Sequence, residues 1–484
     1  MTGRTQKPRS QNGSAPGFLG SPFSSPPGTL TRRQLLSQAG AATLAMSLAG
    51  CAHAPTRRTS VLIVGGGLAG TRALDLLRRG GHDAHLLEGG ARLGGRIRTA
   101  RDGLPEGSSV ELGAERVPDG CPRLQALVRE LGLTTLDYPA TSAPYALRMD
   151  GSTHRFRTPA ELPEKIRGAL HERERDRWPF HLHLAYCRKT DPVPAGDSRS
   201  GLEWLRDQGV SKLGERFIRN FFPEPVDRMS AHGFWLTAMR FLDSGVSRTL
   251  DGGLDQLVHR LADRHREHIT IGADVSTIAL DQDGVTARDR DGRTWRANHI
   301  VLALPLKSLD RIRFSPRRPE VIARWTIGRA VAAEVRIHVD YEEDELRRRD
   351  VNSTIMGFDF PRVTWASPSV TSPGRRILSS VSFHDEIDSV RETLAQGGVD
   401  GLRRLLRARL PQVTTLGPRV WTEDLNADPR IGGTFPYPTP GAPPKPDSVR
   451  ESRLILAGGD FSSWPGSMEG ALESAETAAH SLSR

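Results

Sequence analysis

Cysteine is scarce in this chain, with three among 484 residues. That excludes a disulfide-built scaffold. With Cys51 set aside as part of the N-terminal leader, Cys121 and Cys187 remain, either as one bridge or as two reduced thiols. In "HLHLAYC", His183 and Cys187 stand four apart, but no third ligand follows at a metal-site spacing, so no metal is expected. Aromatic residues make up 6% and hydrophobic residues 37%, low values that still allow a buried core at this length. No internal repeat is present. The weakly apolar run from Ala39 to Gly50 is too short to span a bilayer, which takes about 20 residues. Residues 1–51 contain no acid but carry Arg4, Lys7, Arg9, Arg32 and Arg33. The net charge of +10 therefore leaves 10 − 5 = +5 for the rest. Half of the basic excess lies in the leader, which argues against a nucleic-acid partner and for a solvated, arginine-rich surface.

What is present begins with that leader. Residues 1–30 are rich in Ser, Pro and Gly and read as disordered. The stretch Thr31-Arg32-Arg33-Gln34-Leu35-Leu36, followed by the short apolar run, resembles a twin-arginine (Tat) export signal. Leu48-Ala49-Gly50-Cys51 resembles a lipobox, in which Cys51 is lipidated and becomes the new N-terminus, anchored to the membrane surface. Soluble cleavage after Ala52-His53-Ala54 is the competing reading. Either implies the Tat machinery as a partner and a periplasmic or cell-envelope location.

The strongest signal follows at once. Val61 to Val64 is a continuous apolar run, as in a buried parallel strand. Gly65, Gly67 and Gly70 then form G-x-G-x-x-G, Thr71 to Arg79 has helical spacing, and a second strand, Ala84 to Leu87, ends in Glu88. Glu88 lies 18 positions after Gly70, near the place expected for an acid on ribose hydroxyls. Glycine lets the backbone approach a pyrophosphate, and the helix N-terminus faces its charge. This pattern predicts dinucleotide binding but leaves NAD and FAD both open.

The continuation "EGGARLGGRIRT", with Arg92, Gly94, Gly95 and Arg96, resembles the second fingerprint of the flavin-dependent amine oxidase superfamily. At the other end, "RLILAGGDFSSWPGSMEGALESAETAA" resembles that superfamily's C-terminal flavin motif. It reads as a strand, Leu454 to Ala457, then Gly458-Gly459-Asp460, then a helix starting near Met468-Glu469. "TLDGGLDQL", "ITIGADVSTIALD" and "HIVLALPLKSLD" are similar to the same family. The resemblance implies non-covalent FAD, since Thr434 stands where some relatives attach the flavin to cysteine. Arg92 and Arg96 would contact phosphates, Val275 the adenine side and Asp460 the ribityl chain. Gly113-Ala114 would pass the flavin ring, while Gly459, Met468 and Glu469 would border it.

The implied fold is α/β, with a discontinuous Rossmann-like FAD-binding domain (58–118, 247–306 and 418–484) and an interleaved α+β substrate domain (119–246 and 307–417). Residues 1–57 form the leader. "RLQALVREL" predicts a helix, and "HERERDRW" a solvated helix face. Residues 321–340 and 375–385 predict strands roofing a pocket, and "FPYPTPGAPPKP" a proline-rich loop.

The resemblance also implies an amine held between two aromatic walls. Phe435 keeps one, and Ser467 stands at the other. The lysine that holds a water beside the flavin in many relatives aligns with Glu334, or with Ala332 if the strand slips, which puts reaction with dioxygen in doubt. In "GAERVP", Arg116 matches the carboxylate-binding arginine of the L-amino-acid oxidase branch. It would pair with a substrate carboxylate through two parallel hydrogen bonds. The alternative is a structural arginine paired to Glu115 or Asp119. The expected function is an exported FAD-dependent oxidoreductase that converts a C–N bond of an amino acid or amine to an imine. The alternatives are a C–C desaturase on an apolar substrate and a flavin-binding lipoprotein of weak activity.

Overall fold

The computed structural model describes residues 58–139, 142–188, 190–243 and 246–483. The twin-arginine stretch, the apolar run and Cys51 lie outside the described residues.

The strand Arg58–Val64 is the centre of a nine-stranded sheet. It pairs in parallel with Ala84–Glu88 on one side and Thr294–Leu302 on the other. Ile269–Ile271 extends the sheet beyond Ala84–Glu88. Thr294–Leu302 splits its second edge. Its first half pairs antiparallel with Val285–Asp289, and its last residues pair in parallel with Leu454–Leu456. The apolar run is continuous because both faces are covered. Val61 and Ile63 pack on one face against Ala73, Leu74 and Leu77 of the helix Leu68–Arg79 and Ala475 and Ala478 of the helix Met468–Leu482. Leu62 and Val64, one step out of phase, join Leu302, Leu456 and Trp325 on the other. Strands far apart in sequence thus end side by side.

A seven-stranded sheet has Glu334–Glu342 and Arg375–Phe383 paired antiparallel near one edge. The helical segment Glu386–Arg409, broken at Gly398 (φ 55°), packs on this sheet through Ile387 and Val390 before the break and Leu402 and Leu406 after it. Residues between 159 and 243 form short helices around an aromatic core that includes Tyr186, Trp204, Phe217, Phe222 and Phe234.

Four expectations need correction. Residues 321–340 are not one strand. Glu320–Thr326 is a helix, because Val321, Ile322 and Trp325 fall on one buried face, and Gly328, at φ 62°, ends it before the strand Arg329–Ala332. The proline-rich stretch opens as a strand, Phe435–Pro438, paired to Arg329–Ala332. Val420–Asp424 pairs with Glu334–Glu342, so the seven-stranded sheet reaches past residue 418. "HERERDRW" holds only a 3-10 turn, Glu172–Glu174. Its Glu174 is fully buried and accepts bonds from Tyr186, Ser211 and the His171 N–H. Of the two readings left open for the cysteines, the structure supports two reduced thiols: Cys121 and Cys187 are free and buried. Burial pushes their thiols up to about 11 and about 12, so both stay protonated at neutral pH. Among the described residues there is no metal-ligand cluster and no helix long and apolar enough to cross a membrane.

Candidate active site

A cavity of about 480 Å³ lies across the C-terminal ends of the four parallel strands that finish at Val64, Glu88, Leu302 and Leu456. Ligands of open α/β sheets bind in this position. Gly65, Gly67, Glu88, Arg92, Gly95, Arg96, Ala114, Val275, Gly459 and Met468 line it, as do Glu334 and Phe435.

The glycines do different work. A Cβ on Gly70 would sit 1.9 Å from the Gly65 carbonyl oxygen, so Gly70 serves helix-to-strand packing and does not line the cavity. A Cβ on Gly113 would lie 2.0 Å from the Arg96 carbonyl oxygen, again a packing constraint. At Gly67 the nearest atom to an added Cβ is the Gly94 carbonyl oxygen, 3.8 Å away. Nothing in the protein requires glycine there, but a ligand approaching the backbone would. Gly67 also caps the helix Leu68–Arg79 without a side-chain bond, which leaves first-turn N–H groups open to an anion.

Glu88 accepts the Gly66 N–H on Oε2 (2.7 Å) and the Gly90 N–H on Oε1 (2.6 Å). Each oxygen keeps a lone pair for a hydroxyl. Arg92 spends its guanidinium on the carbonyls of Leu93, Gly95 and Ile97, and so clamps the Gly94-Gly95 turn. Burial, and then Arg98, hold Arg92 below its ordinary range. Arg96 donates to the Thr434 carbonyl at 3.0 Å, and its Nη2 lies 2.6 Å from Asp460 Oδ1, an ion pair without an aligned hydrogen bond.

Two expected cofactor contacts turn elsewhere. Asp460 does not line this cavity; besides Arg96, it accepts the Leu306 N–H at 2.8 Å. Glu469 is buried and faces the helix Pro122–Glu130, where it accepts the N–H groups of Arg123 and Leu124. Its carboxylate satisfies that helix's orphan donors, a capping role that local sequence spacing could not reveal because the helix is some 340 residues away.

Arg116 also stays outside the lining. It is exposed and stacks on Tyr138 (4.8 Å) and Trp365 (5.6 Å). Neither suggested local acid holds it: Glu115 pairs with Arg336, and Asp119 with Arg248.

Several lining residues escaped the sequence reading. Asp274, Arg311, Asp428 and Arg430 form charged pairs at the cavity edge, with Arg311 on Asp274 at 2.8 Å and Arg430 on Asp428 at 2.9 Å. They come from three distant segments and share no local signal. Arg336 could have been found, because strand period puts it on the same face as Glu334. Arg336 bonds Glu334 and Glu115 at 2.8 Å each, and Trp365 donates its indole N–H to Glu115 at 2.7 Å. Burial raises Glu115, but Arg336, Arg116 and the Trp365 N–H together outweigh it and hold the carboxyl below its usual range. Glu334 neighbours Phe435, whose strand partner is Ala332. Ser467, at the lost second wall, caps the helix Met468–Leu482 by accepting the Gly470 N–H.

These features suit a dinucleotide-type cofactor. Two helix N-termini border the cavity, Gly67 leaves clear space, and Thr434 Oγ1, on the lining, is buried without a partner among the described residues. The parallel sheet, the glycine loop and the C-terminal helix N-terminus together define a nucleotide-cofactor oxidoreductase fold.

The family model for flavin containing amine oxidoreductase matches residues 66–482, and the chain belongs to that family. It is an enzyme of the flavin-containing amine oxidoreductase class. It is 24% identical over 441 residues to nicotine dehydrogenase of Pseudomonas putida, covering 86% of each chain. It is 25% identical over 442 residues to (S)-6-hydroxynicotine oxidase of Paenarthrobacter nicotinovorans, covering 87% of this chain and 98% of the relative. A solved putrescine oxidase redesigned in its cofactor binding superposes with a TM-score of 0.75 at 19% identity, covering 88% and 99% of the two chains.

Proposed function

We propose that the protein binds FAD without a covalent link and oxidises a C–N bond of an amine to an imine, which water hydrolyses to a carbonyl compound and the released amine or ammonia. The observation that carries this reading is one cavity lined by both ends of the flavin signature and, on the same wall, by Phe435 and Glu334. Thr434 at the attachment position supports non-covalent binding.

FAD supplies the hydride acceptor. The chain's own residues do the rest. Gly67 and the N-terminus of the helix Leu68–Arg79 would receive the pyrophosphate, and Glu88 the ribose hydroxyls. The N-terminus of the helix Met468–Leu482 would offer donors to the flavin ring. Phe435 orients the substrate and excludes water from one side. Asp460 acts through Arg96 rather than by direct contact.

An amine is favoured over an amino acid, because Arg116 stacks on Tyr138 and Trp365 instead of lining the cavity. The polar wall of Glu334 and Arg336 argues against an apolar desaturase substrate. Among the described residues no lysine lines the cavity, which supports a poor reaction with dioxygen. The Arg32-Arg33 stretch supports Tat export to the periplasm or cell envelope, and the lipobox-like Cys51 supports an anchored form. The test is a screen with an artificial electron acceptor over primary and secondary amines, amino acids and polyenes, scored by the carbonyl product. Carbonyl release from amines supports the reading, and turnover restricted to polyenes overturns it.

A further inference from the structure

The cavity wall beside Phe435 carries an odd charge. Glu334, Arg336 and Glu115 form a closed cluster of two carboxylates on one guanidinium, with both bonds 2.8 Å. Glu334 and Glu115 are 3% and 6% exposed, so neither charge is solvated away. The cluster sums to −1, and a desolvated charge without a counter-ion is costly. Arg116 acts on Glu115, but it is exposed, so solvent screens it and it offsets only part of that charge. A further acid, Glu224, stands close enough to act electrostatically on Glu334. It is 5% exposed, and its Oε2 is buried with no partner among the described residues. Burial pushes this carboxyl up to about 7. Arg240 is the cation that acts on it, while Arg240's own hydrogen bond goes to the Ser463 carbonyl.

Resting on the amine reading above, we propose that Glu334, oriented by Arg336 and reinforced by Glu224, is a cation-recognition site that receives the substrate as its ammonium form. The substrate completes the counter-charge that the exposed Arg116 only partly supplies. Arg336 does not repel it, because two carboxylates already enclose the guanidinium. The same charge disfavours a substrate carboxylate, so the site selects simple amines over amino acids.

The test uses flavin-loaded protein and a probe that cannot turn over. tert-Butylamine has no hydrogen on its nitrogen-bearing carbon, so it binds without being oxidised. tert-Butanol and pivalate are its neutral and anionic counterparts. Binding is read by calorimetry and by the shift of the flavin absorption band. Wild type should prefer the ammonium over the alcohol on the order of 10- to 100-fold, the range of a charge-assisted bond. Pivalate should bind weakest. Glu334→Gln should abolish the preference without changing flavin content, and Glu224→Gln, which leaves the cavity lining intact, should reduce it several-fold above pH 7, where the Glu224 carboxylate is charged. Equal binding of ammonium and alcohol by wild type, or an undiminished preference in both variants, would overturn the proposal. Because no oxidation is involved, that failure is separate from a failure to oxidise any amine.

Discussion

Gly67 and Gly70 are three residues apart in one motif, yet the structure assigns them opposite roles that alanine can separate. Gly67 has φ −77°, which any residue adopts, and its added Cβ would meet nothing nearer than 3.8 Å. Gly67→Ala should therefore cost the apoprotein no more than about 1 kcal/mol, the scale of a poorer helix cap. The methyl group would occupy the space through which a pyrophosphate approaches the backbone. Losing about two charge-assisted N–H bonds, at about 1.5–3 kcal/mol each, weakens flavin binding on the order of 10²- to 10⁴-fold. Gly70→Ala places its methyl 1.9 Å from the Gly65 carbonyl oxygen. That atom is backbone at the end of the central strand, so relief means moving helix against sheet. The cost should exceed the ~1–3 kcal/mol of ordinary overpacking. Apoprotein melting by circular dichroism and fluorescence titration with FAD separate the two effects. Gly67→Ala should melt near wild type and bind flavin poorly, while Gly70→Ala should melt early. Normal flavin affinity in Gly67→Ala, or a large loss of apoprotein stability there, would refute the assignment of the cradle.

Two further outcomes follow from the buried charges, and a third from the lining of the cavity. Burial raises Glu224 to about 7, above the ordinary carboxylate range, so the folded state holds its proton longer than the unfolded chain and wild type loses stability as pH rises from about 4.5 through 7. Glu224→Gln should gain on wild type over that window and then stay level, by about 3–4 kcal/mol at most; a difference independent of pH in thermal melts would contradict this. Glu469→Ala should destabilise the fold by about 2–4 kcal/mol, since it strands the Arg123 and Leu124 N–H groups. Denaturant unfolding should show it, and an unchanged midpoint would return Glu469 to the cofactor. Reduced enzyme mixed with air in stopped flow should reoxidise slowly, whereas rapid recovery of the oxidised spectrum would mean that a group other than lysine assists dioxygen.

The glycine loop and its flanking strand were legible because their signals are local. A doubly covered strand is an unbroken apolar run, and a backbone approached by phosphate is glycine. The convergence of Glu88, Met468 and Val275 on one cavity became legible only through resemblance, since no periodicity ties residues so far apart. Side-chain direction was the main loss. Glu469 and Asp460 sit within flavin-type motifs but point at a helix N-terminus and at Arg96. Arg116 has the right neighbours in sequence, yet its guanidinium prefers two aromatic faces. The Glu320–Thr326 helix was hidden because an apolar pair followed by a third residue also reads as alternation once the adjoining strands are included.

The most direct measurement is an anaerobic titration of the purified protein with a primary or secondary alkylamine, followed at the flavin absorption band, with acid precipitation of a parallel sample. The expected result is a yellow protein whose band bleaches with one equivalent of amine, and whose colour passes to the supernatant on precipitation. A colourless protein, or a flavin band unmoved by any amine, would contradict it.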